Sequence, residues 1–117
     1  MEKTSQSKQG EPSIFAQRVY ALCRQIPQGK VTTYKELARA AGCNSPRAIG
    51  QALRCNPYAP TVPCHRVVAS DGSLGGFKGA TAGLTIQEKI TLLRQEKVPF
   101  QGAGINLDKA LFVFSKR

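Results

Sequence analysis

Apolar residues at Ile14, Phe15, Val19, Leu22 and Ile26 recur at helical spacing and predict an amphipathic helix over residues 14 to about 25. Ser13 offers its N-cap, and Pro27 and Gly29 end the pattern. The polar stretch before it, residues 1–12, reads as a solvated tail. Residues 31–33 read as a short strand. Thr33-Tyr34-Lys35-Glu36 is then a capping box, opening a helix through Leu37, Ala38 and Ala41 that stops at Gly42. Cys43 and Asn44 make a tight turn, and Ser45-Pro46 supplies a cap and a first-turn proline for a helix over residues 47 to about 55. This pair of short helices predicts a helix-turn-helix.

In its second helix Ile49 and Leu53 lie four apart and face the core, while Ala48, Gly50 and Ala52 are small for an outward face. With Arg47 and Arg54 at its ends and Gln51 between, such a helix suits close approach to a DNA groove. A tightly packed helix pair would use small residues equally well. Pro57, Pro60 and Pro63 make a stiff, non-helical approach to Cys64. A strand is predicted over residues 67–69, with a turn at Asp71-Gly72. Gly75, Gly76, Gly79 and Gly83 then read as a flexible loop carrying Phe77 and Lys78, without the spacing of a phosphate-binding P-loop. Thr85-Ile86-Gln87-Glu88 is a second capping box, for a helix with Ile86, Ile90 and Leu93 on one face that reaches Glu96. The apolar run from Ala110 to Phe114 is expected to pack back onto the core. The expected fold is mainly α with short strands, a winged helix-turn-helix-like single domain. Its tail covers residues 1–12, its body residues 13–99 and a C-terminal extension residues 100–117.

Charge narrows the partner. The 117 residues carry 17 Lys and Arg against 7 Asp and Glu, a formal net charge of +10. Such a balance favours a polyanion, through phosphate neutralisation and counterion release. No apolar run approaches the ~20 residues that span a bilayer, and the N-terminus lacks the apolar segment of a secretory signal. No membrane association is expected, and the chain reads as intracellular. Its four cysteines (Cys23, Cys43, Cys55, Cys64) form no Cys-x-x-Cys pair. They read as free thiols, most of them small core residues, with no metal site.

The one histidine, His65, directly follows Cys64. An ordinary thiol is only a few per cent thiolate at neutral pH, and a neighbouring imidazole or positive field raises that fraction. Adjacent residues in an extended segment point opposite ways, so His65 reaches Cys64 only where the backbone turns or a water bridges them. A carboxylate must orient the imidazole, and Asp71, Glu88 and Glu96 are the nearest in sequence.

The segment Arg54-Cys55-Asn56-Pro57, then Pro63-Cys64-His65-Arg66-Val67-Val68, then Asp71-Gly72-Ser73-Leu74-Gly75-Gly76-Phe77, followed by Lys89, Leu92-Leu93 and Glu96, closely resembles the C-terminal domain of the O6-alkylguanine-DNA alkyltransferases. So does Ile26-Pro27-Gln28-Gly29-Lys30-Val31-Thr32-Thr33-Tyr34 upstream. The resemblance implies a helix-turn-helix in the minor groove of double-stranded DNA containing O6-alkylguanine, with the damaged base flipped into a protein pocket. By similarity Cys64 is the nucleophile, His65 its base through a water, and Glu96 the carboxylate that orients His65. Tyr34 bonds a guanine ring nitrogen, and Asn56 braces the loop beneath the site. Arg47 fills the vacated stack, and Ala48, Gly50, Gln51, Ala52 and Arg54 line the DNA face. Pro63, Val67, Val68, Phe77 and Lys78 wall the pocket. The resemblance further implies a monomer without cofactor that transfers one alkyl group per molecule. It would act in the cytoplasm or nucleoid, or in the nucleus of a eukaryote.

Many family members carry an additional N-terminal domain, whereas here a dozen residues precede the first expected helix, an organisation similar to that of compact alkyltransferase-like proteins. Those bind alkylated guanine without accepting the alkyl group and flag it for another repair pathway, another residue, often tryptophan, replacing the cysteine. This chain keeps Cys64 and has no tryptophan. Phe77-Lys78 also stands where the family usually has tyrosine and a small or polar residue, and the loop before Thr85 is longer. A sequence-specific regulator on the same scaffold would need long polar side chains along the reading helix, and only Gln51 and two arginines offer them. A cysteine hydrolase would need an oxyanion element that the sequence does not indicate.

Overall fold

The computed structural model describes residues 13–54, 56, 61–74 and 84–114. The expected tail, Cys55, Pro57, Pro60 and the Phe77-Lys78 loop lie outside the described residues.

Local caps start the helices where their chemistry predicts. Helix α1 (Ile14–Cys23) begins with the Ser13 hydroxyl accepting the Ala16 N–H at 3.0 Å. It stops two residues short of the expected end. The N–H groups of Gln25 and Ile26 bond Leu22 O and Cys23 O instead, a tighter turn that takes Ile26 out of helix ahead of Pro27 while keeping its side chain buried. The expected strand shortens to β1 (Thr32–Thr33). Helix α2 (Tyr34–Ala41) follows at once, Thr33 Oγ1 accepting the Glu36 N–H. Gly42, at φ +80°, closes it by donating to Arg39 O while Cys43 donates to Ala38 O. Helix α3 (Pro46–Arg54) is capped by Ser45, so the two helices and their turn are those read from the sequence.

A single 3-10 turn, Cys64–Arg66, leads into β2 (Val67–Val68), one residue shorter than expected, which pairs parallel with β1. Helix α4 (Leu84–Gln95) already includes Thr85, so Thr85 does not precede it as a cap. A Thr-x-x-Glu pattern also fits a first turn that has begun. The helix ends in a Schellman closure at Glu96. Val98 donates to Leu93 O, Lys97 to Arg94 O, and Lys97 takes the left-handed conformation (φ +65°) with buried Val98 packed in the same cluster as Leu93.

Beyond it, β3 (Phe100–Gln101) and β4 (Gly104–Ile105) form an antiparallel hairpin and α5 (Leu107–Ala110) adds one turn. The run after α5 does return to the core, but by strand alternation: Ala110 and Phe114 are buried and Leu111 and Val113 exposed. This strap lies along β1. Val31 donates to Ala110 O, Phe112 donates to Val31 O, and Thr32 Oγ1 donates to Phe112 O. Glu36 accepts the Phe114 N–H at 2.9 Å and Arg39 donates to Phe114 O at 3.0 Å, so the strap also grips α2.

The buried side chains form two clusters. One joins α1, α2 and α3 with Val62, Cys64, Val67 and Phe114; the other joins Val31, Val68, Leu93, Val98, Ile105 and Ala110. The β1–β2 pair runs between them. The fold is mainly α with short strands, and among the described residues no helix is long and apolar enough to cross a membrane.

Candidate active site and helix-turn-helix surface

The backbone turn that the Cys64-His65 pair requires is present. Arg66 N–H bonds Pro63 O at 2.9 Å, closing the 3-10 turn over Cys64, His65 and Arg66. Cys64 sits on it at 5% exposure, in the cluster of Val62, Val67 and Cys23. The neighbouring Cys23 thiol is pushed up to about 12, by burial first and by the nearby Cys64 charge second. Cys43 is half-buried, its thiol directed at Ser45 O.

Of the acids near in sequence, Glu96 reaches the histidine. His65 Nε2–H donates to Glu96 Oε2 at 2.9 Å. A carboxylate can only accept, so this bond puts the imidazole proton on Nε2 and leaves the Nδ1 lone pair bare. Nδ1 is buried and has no hydrogen-bond partner among the described residues. Burial holds the imidazole below the usual histidine range, outweighing the pull of Glu96 toward the charged form. His65 is therefore a neutral base at pH 7.

Arg66 fixes the carboxylate. Its Nε donates to Glu96 Oε1 at 2.8 Å, its Nη2 to Oε2 at 2.7 Å, and its Nη1 to Ile26 O at 2.8 Å. Burial acts to raise the Glu96 carboxyl, yet the bonds from Arg66 and His65 hold it below its ordinary value. One guanidinium thus ties the end of α4 to the turn after α1 and to the turn carrying Cys64. Asn56 ties α3 to the same place: its N–H bonds Leu53 O and its Nδ2 donates to Val62 O at 3.1 Å, just before Pro63 and Cys64. Tyr34, half-buried at the start of α2, packs against the cluster that contains Cys64.

Two expected positions are corrected. Successive strand residues point to opposite faces, so Val67 joins Cys64 in one cluster while Val68 enters the other. The Val68 side chain is turned away from the Cys64 side. In α3, Ala52 is buried at 8% exposure beside Leu53 rather than outward, and its carbonyl accepts the Tyr20 hydroxyl at 2.7 Å. Arg47, Gln51 and Arg54 are exposed, and Ala48 and Gly50 half-buried. A Cβ built at Gly50 would meet no described atom within 4 Å, so the close packing of a helix pair does not require glycine there.

Two side chains escaped the sequence reading. Arg66 had no assigned role, although it stands inside the Pro-Cys-His-Arg-Val block. Lys89 is fully buried and donates from Nζ to Val67 O at 2.8 Å and to Leu74 O. Its spacing gave a signal: residues 86, 89, 90 and 93 follow the i, i+3, i+4, i+7 pattern of an inward face.

Against known proteins, a family model described as the DNA-binding domain of 6-O-methylguanine DNA methyltransferase matches residues 14–98. A methylated-DNA–protein-cysteine methyltransferase of Metallosphaera sedula is 45% identical over 87 residues, covering 73% of this chain and 53% of the relative. A DNA base-flipping protein of Thermus thermophilus is 47% identical over 79 residues, covering 68% and 50%. The chain spans about half the length of most of the curated relatives it matches. Among solved structures, Mycobacterium tuberculosis OGT in complex with DNA aligns with a TM-score of 0.65 and 38% identity, over 74% of this chain and 51% of that one. S. pombe Atl1 in complex with damaged DNA containing O6-carboxymethylguanine aligns with a TM-score of 0.71 and 31% identity, over 84% of this chain and 94% of that one.

Proposed function

The chain belongs to the family of the 6-O-methylguanine DNA methyltransferase DNA-binding domain, and from that premise we propose that Cys64 accepts the alkyl group of O6-alkylguanine in double-stranded DNA. The observation that carries this reading is the His65 tautomer. Glu96 occupies Nε2, so the lone pair that can take a thiol proton is Nδ1, on the residue next to Cys64. The proton leaves Cys64 for His65 through a bridging water. The thiolate attacks the alkyl carbon in line, a carbon–sulfur bond forms, and the carbon–oxygen bond breaks with its electrons passing to the guanine. The Tyr34 hydroxyl donates to a guanine ring nitrogen, easing departure of the base. The product is a thioether, which water does not cleave, so each molecule acts once.

Binding falls to the helix-turn-helix. Arg47, Gln51 and Arg54 are exposed, and Gly50 leaves open space before it. Such a helix can lie deep in the minor groove, with Arg47 filling the stack vacated by the flipped base. Flipping costs a few kcal/mol and least for a weakly paired base, which favours the lesion. Pro63, directly before Cys64, and Val67, three residues after it, are buried and supply apolar lining.

A second reading, a protein that binds alkylated guanine and hands it on without transfer, is favoured by one observation. The alignment with Atl1 takes in nearly all of that compact protein. Intact mass after incubation with an O6-methylguanine oligonucleotide separates the two. The expected result is a gain of one methyl on the Cys64 peptide, absent with unmodified DNA and in Cys64→Ala, which should still bind the lesion. Lesion-selective binding without mass gain would make the second reading correct.

A further inference from the structure

The strap over residues 110–114 leaves one edge open. Its backbone turns to the protein at alternate residues. Ala110 O accepts the Val31 N–H at 2.9 Å, Phe112 N–H donates to Val31 O at 2.7 Å, and Phe114 is held at N–H and carbonyl by Glu36 and Arg39. Strand geometry sends the backbone groups of the residues between to the other side. There Leu111 N–H is taken up by Leu107 O, while Leu111 O, Val113 N–H and Val113 O meet no partner among the described residues. Exposed edges commonly carry lysine or proline, which discourage pairing. This one carries Leu111 and Val113, 39% and 53% exposed.

Beside Leu111 a groove of about 540 Å³ separates the strap from the helix-turn-helix, lined among others by Lys35, Ala38, Arg39 and Pro46. Glu36 also lines it, but is paired with Arg39 and with the strap, so Lys35 supplies the charge left over. We propose that this edge docks an extended segment of a partner protein, which adds as a further strand beside the strap, seats an apolar side chain in the groove and turns acidic residues toward Lys35. One outward N–H flanked by two outward carbonyls matches another extended backbone. A helix has spent those groups on itself, and a duplex does not offer them at strand spacing. Docking of this kind is independent of alkyl transfer at Cys64.

The test titrates the full chain with a synthetic octapeptide alternating valine and glutamate, followed by amide hydrogen exchange and chemical shift. Saturable binding is expected, with the Val113 amide slowed at least about tenfold and the already bonded Phe112 and Phe114 amides little changed. Val113→Pro removes the outward donor and none of the bonds to β1 or α2, and should weaken binding at least about tenfold. Should that variant fail to fold, Leu111→Asp, which removes an apolar contact and repels the glutamates, is expected to weaken binding as much. No saturable binding overturns the proposal. Equal binding of the same peptide N-methylated at alternate residues also overturns it, since charge alone would then suffice. A Val113 amide already protected in the protein alone would mean that this chain or a second copy covers the edge, and protection by duplex DNA would make the occupant nucleic acid. Either result sinks the partner segment.

Discussion

The turn around Cys64 and the outer face of α3 are built on opposite plans. In the first, Arg66 and Lys89 direct their polar atoms to partners inside the protein, His65 gives its Nε2–H to Glu96, and Glu96 receives three bonds. In the second, Arg47, Gln51 and Arg54 stand in solvent. A reacting group gains from being held in place before the substrate arrives. A surface meeting phosphates gains from long charged side chains that adapt to the duplex. The difference teaches that substitutions in the two regions should separate stability and transfer from DNA capture.

Breaking the buried side should have the largest effect. Glu96→Ala leaves the Arg66 guanidinium and the His65 Nε2–H without their acceptor. It should cost about 2–4 kcal/mol, somewhat less than a fully enclosed pair because Glu96 keeps some exposure. Denaturant unfolding measures this, and a loss below about 1 kcal/mol would mean that Arg66 holds the turn through Ile26 alone.

The exposed side should respond in the opposite sense. Arg47→Ala should leave stability within about 0.5 kcal/mol yet slow reaction with a base-paired lesion far more than reaction with free O6-alkylguanine. Equal slowing of both would remove Arg47 from any role in base flipping.

Acid sharpens the comparison within the buried side. The folded state holds His65 below its ordinary range, so as pH falls through about 6.5 the unfolded chain binds a proton that the folded one refuses. Stability should decline from there, by at most about 1.4 kcal/mol per pH unit. Glu96 adds to the decline only below the ordinary carboxylate range, because its folded value is also depressed. His65→Gln should flatten the slope just below about pH 6.5, as thermal unfolding at successive pH values would read. An unchanged slope would place the acid sensitivity elsewhere. The wild-type transfer rate should meanwhile fall off at a lower pH than the titration of an ordinary imidazole would give, since burial holds folded His65 below the usual range.

The smallest effect belongs to Gly50→Ala. With open space around the added Cβ and a better helix former, stability should rise by about 0.5–1 kcal/mol. DNA affinity should fall, because the methyl group intrudes where the groove floor would approach. A stabilised variant with undiminished affinity would show that α3 stays clear of the groove.

The helix-turn-helix was legible because its signals are local. Ser13, Thr33 and Ser45 each bond an N–H three residues on, and Gly42 turns left-handed where no side chain would be comfortable. Such interactions form within one turn of chain, so residue order suffices to locate them. The adjacency of Cys64 and His65 was equally visible, as was the need for a carboxylate.

Which partners meet across the chain was another matter. His65 to Glu96 spans 31 residues, Arg66 to Ile26 spans 40, and Glu36 to Phe114 spans 78. The resemblance named Glu96, but neither spacing nor charge distinguished it from Asp71 or Glu88. Ala52 and Val68 were misjudged for the same reason, since the face a residue presents depends on what packs against its element. Amino-acid order set the caps, the turns and the basic, thiol-bearing character of this protein. The tertiary structure chose the carboxylate, enclosed Lys89 and put the proton on Nε2 of His65, because those outcomes depend on distances that exist only after the chain has closed on itself.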